Sequence, residues 1–155
     1  EPNKLFKIVE NGVFQEIKLN NALEPKGLGT GAAVADIDND GVLELLISHG
    51  ESGLQPLSLF KFNSEEKKSY LRIRPLNMHG APARGATVTL ITNKREHSKT
   101  IDAGSGYLCQ MEPVAHYGIR ENETEFKFKV KWTNGDEDLF DVKNLNETII
   151  VNQSS

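Results

Sequence analysis

Phe126-Lys127-Phe128-Lys129-Val130-Lys131-Trp132 alternates apolar and basic residues with a period of two. Successive strand side chains point to opposite faces, so Phe126, Phe128, Val130 and Trp132 share one face and the three lysines share the other. The stretch therefore reads as a strand with one face in a core and one in water. Leu139-Phe140-Asp141-Val142 offers its partner across Asn134-Gly135-Asp136. A two-residue Asn-Gly turn would set Phe128 against Asp141 and mix the faces. A three-residue loop over 134–136 pairs Phe128 with Val142 and Val130 with Phe140, and sets Lys129 beside Asp141.

Working outward, the same period recurs and no convincing helix does. Leu5–Glu10 and Val13–Ile17 flank Asn11-Gly12, a signal for a two-residue hairpin. Ala32–Ile37, Leu43–Ser48, Leu57–Phe62, Tyr70–Arg74 and Ala86–Ile91 also read as strands. Asn63 to Ser69 is polar and aperiodic, so it reads as a linker between a first unit, residues 1–63, and a second, 70–152. The fold class is all-β.

Composition narrows the function. The 155 residues are 37% hydrophobic and 26% charged, with a net charge of −4. That is ordinary for a globular protein and lacks the basic stripe of a nucleic-acid binder. No apolar run is long enough to span a membrane as a helix. The sequence opens on Glu1 and shows no signal peptide. Cys109 has no partner within the chain, which leaves a buried free thiol or a half-cystine paired elsewhere.

Between two of the strands lies Asp36-Ile37-Asp38-Asn39-Asp40-Gly41-Val42-Leu43-Glu44. Acids at positions 1, 3, 5 and 9 with glycine at 6 suit calcium, which takes six to eight hard oxygens. Asp36, Asp38, Asp40 and Glu44 would supply carboxylates and Val42 its backbone carbonyl. An EF-hand needs a bidentate Glu at position 12 and flanking helices, but Ile47 stands there and the flanks are strand-like. Magnesium resists all-protein cages, so Ca2+ is the expected ion. Without a cation the three aspartates would repel one another.

Gly31-Ala32-Ala33-Val34-Ala35 running into this loop resembles an FG-GAP (VCBS-type) repeat, the blade unit of integrin-like β-propellers. Leu5–Ile8 through Asn11–Phe14 resembles the closing hairpin of a preceding blade. Ala83-Arg84-Gly85-Ala86, Asp102 to Cys109, Met111 to Gly118 and Trp132-Thr133-Asn134-Gly135 are similar to an ASPIC/UnbV domain. With His49-Gly50-Glu51-Ser52 and Gln55-Pro56-Leu57-Ser58, their order resembles the cartilage acidic protein family. The resemblance implies a partial propeller-blade-like antiparallel sheet with a calcium loop, followed by a β-sandwich. It also implies a secreted, matrix-associated glycoprotein. A propeller needs several blades and this chain holds at most about one and a half, which leaves a fragment of a larger propeller protein or a short variant that has repurposed the blade. Two positions depart from the family: Glu44 replaces the usual closing Asp, and His116-Tyr117-Gly118-Ile119-Arg120 lacks the second Gly of His-Phe-Gly-Leu-Gly.

The expected function is an extracellular calcium-binding interaction protein with a matrix or receptor partner, either protein or glycan. The alternative is a calcium-stabilised carbohydrate-binding module using Tyr107 or Tyr117 as a platform. No catalytic residue is assigned: His49 with Glu51 and His116 with Tyr117 lack ligand spacing, and Asp102 with Gly104 and Gly106 is not a phosphate loop. Asn122, Asn146 and Asn152 head N-glycosylation sequons.

Overall fold

The computed structural model describes residues 2–9, 12–50, 55–62, 68–102, 104–107 and 109–154. The described residues form twelve strands and a short 3-10 turn, Asn20–Leu23, with no α-helix. The strands are β1 Leu5–Ile8, β2 Phe14–Ile17, β3 Gly29–Ala35, β4 Glu44–His49, β5 Ser58–Lys61 and β6 Tyr70–Leu76. Then come β7 Thr87–Ile91, β8 Glu96–Thr100, β9 Ala115–Gly118, β10 Lys127–Lys131, β11 Glu137–Asp141 and β12 Thr148–Asn152. Four sheets result, ordered β1-β2, β3-β4-β5, β12-β6-β9 and β11-β10-β7-β8. The protein is all-β, as its alternation predicts.

The core lies between the last two sheets. Leu71, Ile73, Ala115, Tyr117 and Val151 come from one, and Val88, Leu90, Phe128 and Val130 from the other. Trp132 extends the same face at 3% exposure. The result is a sandwich in which alternate residues of each strand turn inward. One pairing is parallel: β12 runs alongside β6 with Ile149 opposite Ile73. Parallel neighbours need a long crossover, and the 71 residues from 77 to 147 provide it.

The β10–β11 register differs from the expectation by two residues. Phe128 faces Phe140 and Val130 faces Asp138. The three-residue loop is 133–135, closed by the Trp132 N–H donating to Asp136 O at 2.8 Å. Gly135 has φ 97°, a left-handed value. In a three-residue loop that value belongs to the last position, so the glycine dictates which three residues turn. A shift of two keeps the faces, and the Phe128 and Phe140 rings stack at 4.9 Å. Lys129 pairs with Glu137 at 3.2 Å and Lys127, in its place, with Asp141 at 3.3 Å.

The first hairpin departs likewise. Val9 N donates to Val13 O at 2.8 Å, which leaves three residues between them, ending in Gly12 at φ 73°. Asn11 of the expected turn lies outside the described residues, as do Glu10, Glu51 and residues 63–67 of the expected linker.

The two ends of the chain are buried unequally. Leu5, Phe6, Ile8, Phe14, Leu57 and Leu59 are exposed large apolar residues, whereas the sandwich interior is nearly dry. Phe128→Ala, at 1% exposure, should therefore cost about 3–5 kcal/mol in denaturant unfolding. Leu139→Ala, on the outer face of β11, should cost less than about 1 kcal/mol.

Candidate metal centre

The turn from β3 to β4 carries the acidic residues. Asp36, at the end of β3, is 3% exposed and wraps the loop by accepting from Asp40 N at 3.0 Å and Gly41 N at 3.1 Å. Asp40 accepts from Val42 N at 2.9 Å. Glu44 opens β4 at 5% exposure, and its Oε2 accepts from Ile37 N at 2.8 Å. Asn39 and Gly41 both take positive φ. Gly41 is required for a second reason: a Cβ there would lie 2.0 Å from the Tyr70 ring.

One carboxylate oxygen from each of Asp36, Asp38 and Asp40 lies within 4.8 Å of the others. Glu44 Oε1 is buried with no hydrogen-bond partner among the described residues. A buried carboxylate oxygen without a hydrogen bond is costly, and it marks a place where a cation fits; Lys61 Nζ approaches it at 3.5 Å. Val42, the fifth expected ligand, is held in the turn by its own N–H bond to Asp40 Oδ1.

Two cations that the motif does not contain also enter the site. Lys61 Nζ lies 2.5 Å from Asp38 Oδ2, 2.6 Å from Asp40 Oδ2 and 3.5 Å from Glu44 Oε1. The hydrogen bonds to Asp38 and Asp40 push its pKa up, and the Lys61 bond likewise holds Asp40 below the usual carboxylate range, with Val42 N–H adding to it. Lys61 is there because β5 pairs it directly with Glu44. Arg72, 3% exposed on β6, places its guanidinium 3.4 Å from Asp36 Oδ2 and 2.5 Å from Asn39 Oδ1 and also holds Glu112. Tyr70 O–H donates to Asn39 O at 3.1 Å. Five carboxylates thus surround two cationic side chains, and the surplus is negative.

The other candidate residues fall elsewhere. Asn122, Asn146 and Asn152 are all exposed. Asn146 also accepts from Tyr70 N at 3.0 Å through its Oδ1. Cys109 is a free, half-buried thiol against β3. Tyr117 is 1% exposed and donates its hydroxyl to Val88 O, so it is core and no platform; Tyr107 is 60% exposed. Arg84 donates to Asp102 O at 2.5 Å, and Asp102 caps Gly104 N at 3.1 Å, a local turn.

His49 and Glu24 make a pair that the sequence does not suggest. His49 Nδ1 meets Pro56 O at 2.7 Å and Nε2 meets Glu24 Oε2 at 3.0 Å, while Ser58 donates its hydroxyl to Glu24 Oε1. Two acceptors call for two N–H groups, so the imidazolium fits best. This is no triad: the serine bonds the carboxylate, and both histidine nitrogens are engaged.

The family profile described as "ASPIC and UnbV" matches residues 77–155, just over half of the chain. The chain belongs to that family. It is 47% identical to cartilage acidic protein 1 of Homo sapiens and of Mus musculus over 138 residues, and 46% identical to that of Xenopus tropicalis. These matches cover 86% of this chain and 21% of each relative, so the chain spans about a fifth of their length. The relatives are secreted proteins of the extracellular matrix, and this chain shares that location.

The Glu24–His49 pair predicts a pH dependence. The Glu24 hydrogen bond, ahead of the Pro56 carbonyl, raises the pKa of His49. Ser58, ahead of His49 and Asn3, lowers that of Glu24 against the opposing effect of burial. The histidine contribution is full below its unfolded pKa of about 6.5 and fades as pH rises through the raised folded value. The glutamate contribution is present above its unfolded value of about 4.3 and is lost as pH falls through the depressed one. Thermal melts should show a decline above about pH 6.5 that His49→Gln removes.

Proposed function

We propose that this chain is a calcium-braced interaction module, with Asp36, Asp38, Asp40, Glu44 and the Val42 carbonyl holding Ca2+ in a structural role. Glu44 Oε1 carries the proposal: it is buried without a hydrogen bond among the described residues, and the same Lys61 Nζ that bonds Asp38 and Asp40 approaches it at 3.5 Å. The donor set is all hard oxygen, and the negative surplus suits a divalent ion. Lys61, 43% exposed on a long stem, can withdraw into solvent when an ion enters. When bound, the ion supplies charge neutralisation to the turn, and the residues themselves fix its shape. The ligands crowd the site, so no open position for substrate chemistry is proposed and the module is read as non-enzymatic.

The antiparallel sheet β3-β4-β5, with the loop in its first turn, fits an FG-GAP-like blade, and β1-β2 fits the closing hairpin of another. Exposed apolar residues on both suit a place in a longer propeller, in keeping with the greater length of the relatives. The ASPIC/UnbV sandwich then presents a surface to a matrix or receptor partner, with glycans on Asn122, Asn146 and Asn152.

Isothermal titration should show calcium binding at or below millimolar concentration, with a calcium-dependent rise in Tm that Asp38→Ala abolishes. Lys61→Met removes the competing charge and should tighten binding about tenfold. If Lys61→Met lowers Tm and no variant binds calcium, the lysine itself is the resident cation and the proposal fails.

The division into units 1–63 and 70–152 has a separate test. Limited proteolysis should cut first within 63–69 and leave a folded fragment from about Tyr70. A fragment that unfolds on cleavage would show that the two units share one cooperative structure.

A further inference from the structure

A cavity of about 390 Å3 opens along the free edge of β9, between β8 and the Gly41–Leu43 side of the acidic loop. Arg95, His97, Lys99 and His116 line it together with Tyr117, and among the described residues no carboxylate does. In a chain of net charge −4, that concentration of basic groups is local and specific. Register explains it: Lys99 pairs with Val88 and His97 with Leu90, so both project on the core face of their sheet, at its edge. Arg95 is compensated, since it holds Glu123 at 2.5 Å and Gly118 O at 2.9 Å. Lys99 is not. Its Nζ sits over the Tyr117 ring at 5.7 Å, and among the described residues it has no carboxylate within 4 Å. Burial first, then Arg95, pushes the Lys99 pKa down, and burial followed by Lys99 and Arg95 does the same to His97. His116, which lines the cavity from the other face of β9, stacks on Tyr70. The Lys99 ammonium thus lines a half-dehydrated space, with His97 beside it and no carboxylate among the described lining residues.

We propose that this seam binds a sulfate ester of an acidic glycan, with Lys99 as the main charge contact and His97 and His116 beside it. The volume exceeds that of a bare oxyanion and lies in the range of small-ligand sites. Phe62, 71% exposed at the rim, offers a flat apolar face to a sugar ring. Charge-assisted contacts in a partly dry pocket are stronger than neutral ones, so the ester's charge, more than the sugar, recognises the site.

The test is an NMR titration of the whole chain, in constant calcium, with three probes: a heparin-derived sulfated disaccharide, its unsulfated counterpart and inorganic sulfate. The sulfated disaccharide should shift amides of 95–99 and 116–118 and bind more tightly than inorganic sulfate, and the unsulfated sugar should do nothing. Lys99→Ala should weaken binding about tenfold and Lys99→Arg should largely retain it. Lys129→Ala, on the outer face of β10, should leave it unchanged. Should Lys99→Ala perturb the fold, Lys99→Gln, which keeps much of the stem, carries the comparison. Three results overturn the proposal: no shifts at millimolar disaccharide, equal weakening by Lys129→Ala, or inorganic sulfate binding as tightly as the disaccharide.

Discussion

Three aspartates at alternate positions of one turn can share it only if positive charge stands among them. Two like charges 4 Å apart repel by about 4 kcal/mol at an effective dielectric of 20, and this loop adds a buried Glu44 to the set. The protein meets that constraint with groups borrowed from distant strands. Lys61 arrives from β5 on the solvent side and Arg72 from β6 on the buried side. Backbone N–H groups of Ile37, Asp40, Gly41 and Val42 supply further positive ends. One oxygen of Glu44 is left without a hydrogen bond among the described residues, and the proposed ion would complete a balance that the fold leaves short.

Arg72 also decides how the acidic turn relates to the sandwich. Leu71 and Ile73 face the core, so Tyr70 and Arg72 must face outward, and an outward arginine in mid-sheet would ordinarily reach water. Here the acidic turn covers it. Gly41 lets the Tyr70 ring approach, Tyr70 stacks on His116, and Arg72 spans Asp36, Asn39 and Glu112. The sheet β12-β6-β9 is therefore buried on both faces at β6, by apolar packing inside and by a polar clasp outside. Breaking one side of such a clasp leaves an arginine buried without its partners, which costs more than the intact contact contributes.

Local rules reveal the strands and their inward faces because alternation is a property of neighbouring residues, and Phe128, Val130 and Trp132 needed no knowledge of the rest. The acidic motif is equally local, and Asp36, Asp38 and Asp40 do converge. Register was less legible. Asn134-Gly135 closes a three-residue loop with the glycine last, because the left-handed position sits there, and Gly12 takes the same φ sign before Val13, whereas the dipeptide alone suggests two residues. Lys61, Arg72 and Glu112 were invisible for a different reason: each reaches the site through a strand pairing or a sheet face set by distant sequence. Knowing that β5 runs against β4 would have placed Lys61 opposite Glu44. The Glu24–His49–Ser58 cluster likewise joins a turn, a strand end and the start of the next strand.

The two parts of the chain are consequently held by different forces. The sandwich rests on large, fully buried side chains, a non-directional effect that changes little with ionic conditions. The sheet β3-β4-β5 has Ile47 as its one buried large apolar side chain among the described residues, and the rest of its support is polar: the Glu24 cluster at one end and the acidic turn at the other. Polar support of this kind follows pH, salt and available cations. A segment stabilised so, lying against a sandwich that is not, opens first when its counter-charges leave. Its neighbour β6 then loses the cover over Tyr70 and Arg72, so a change in cation supply at the turn is felt on the outer face of the sandwich while the core beneath stays packed.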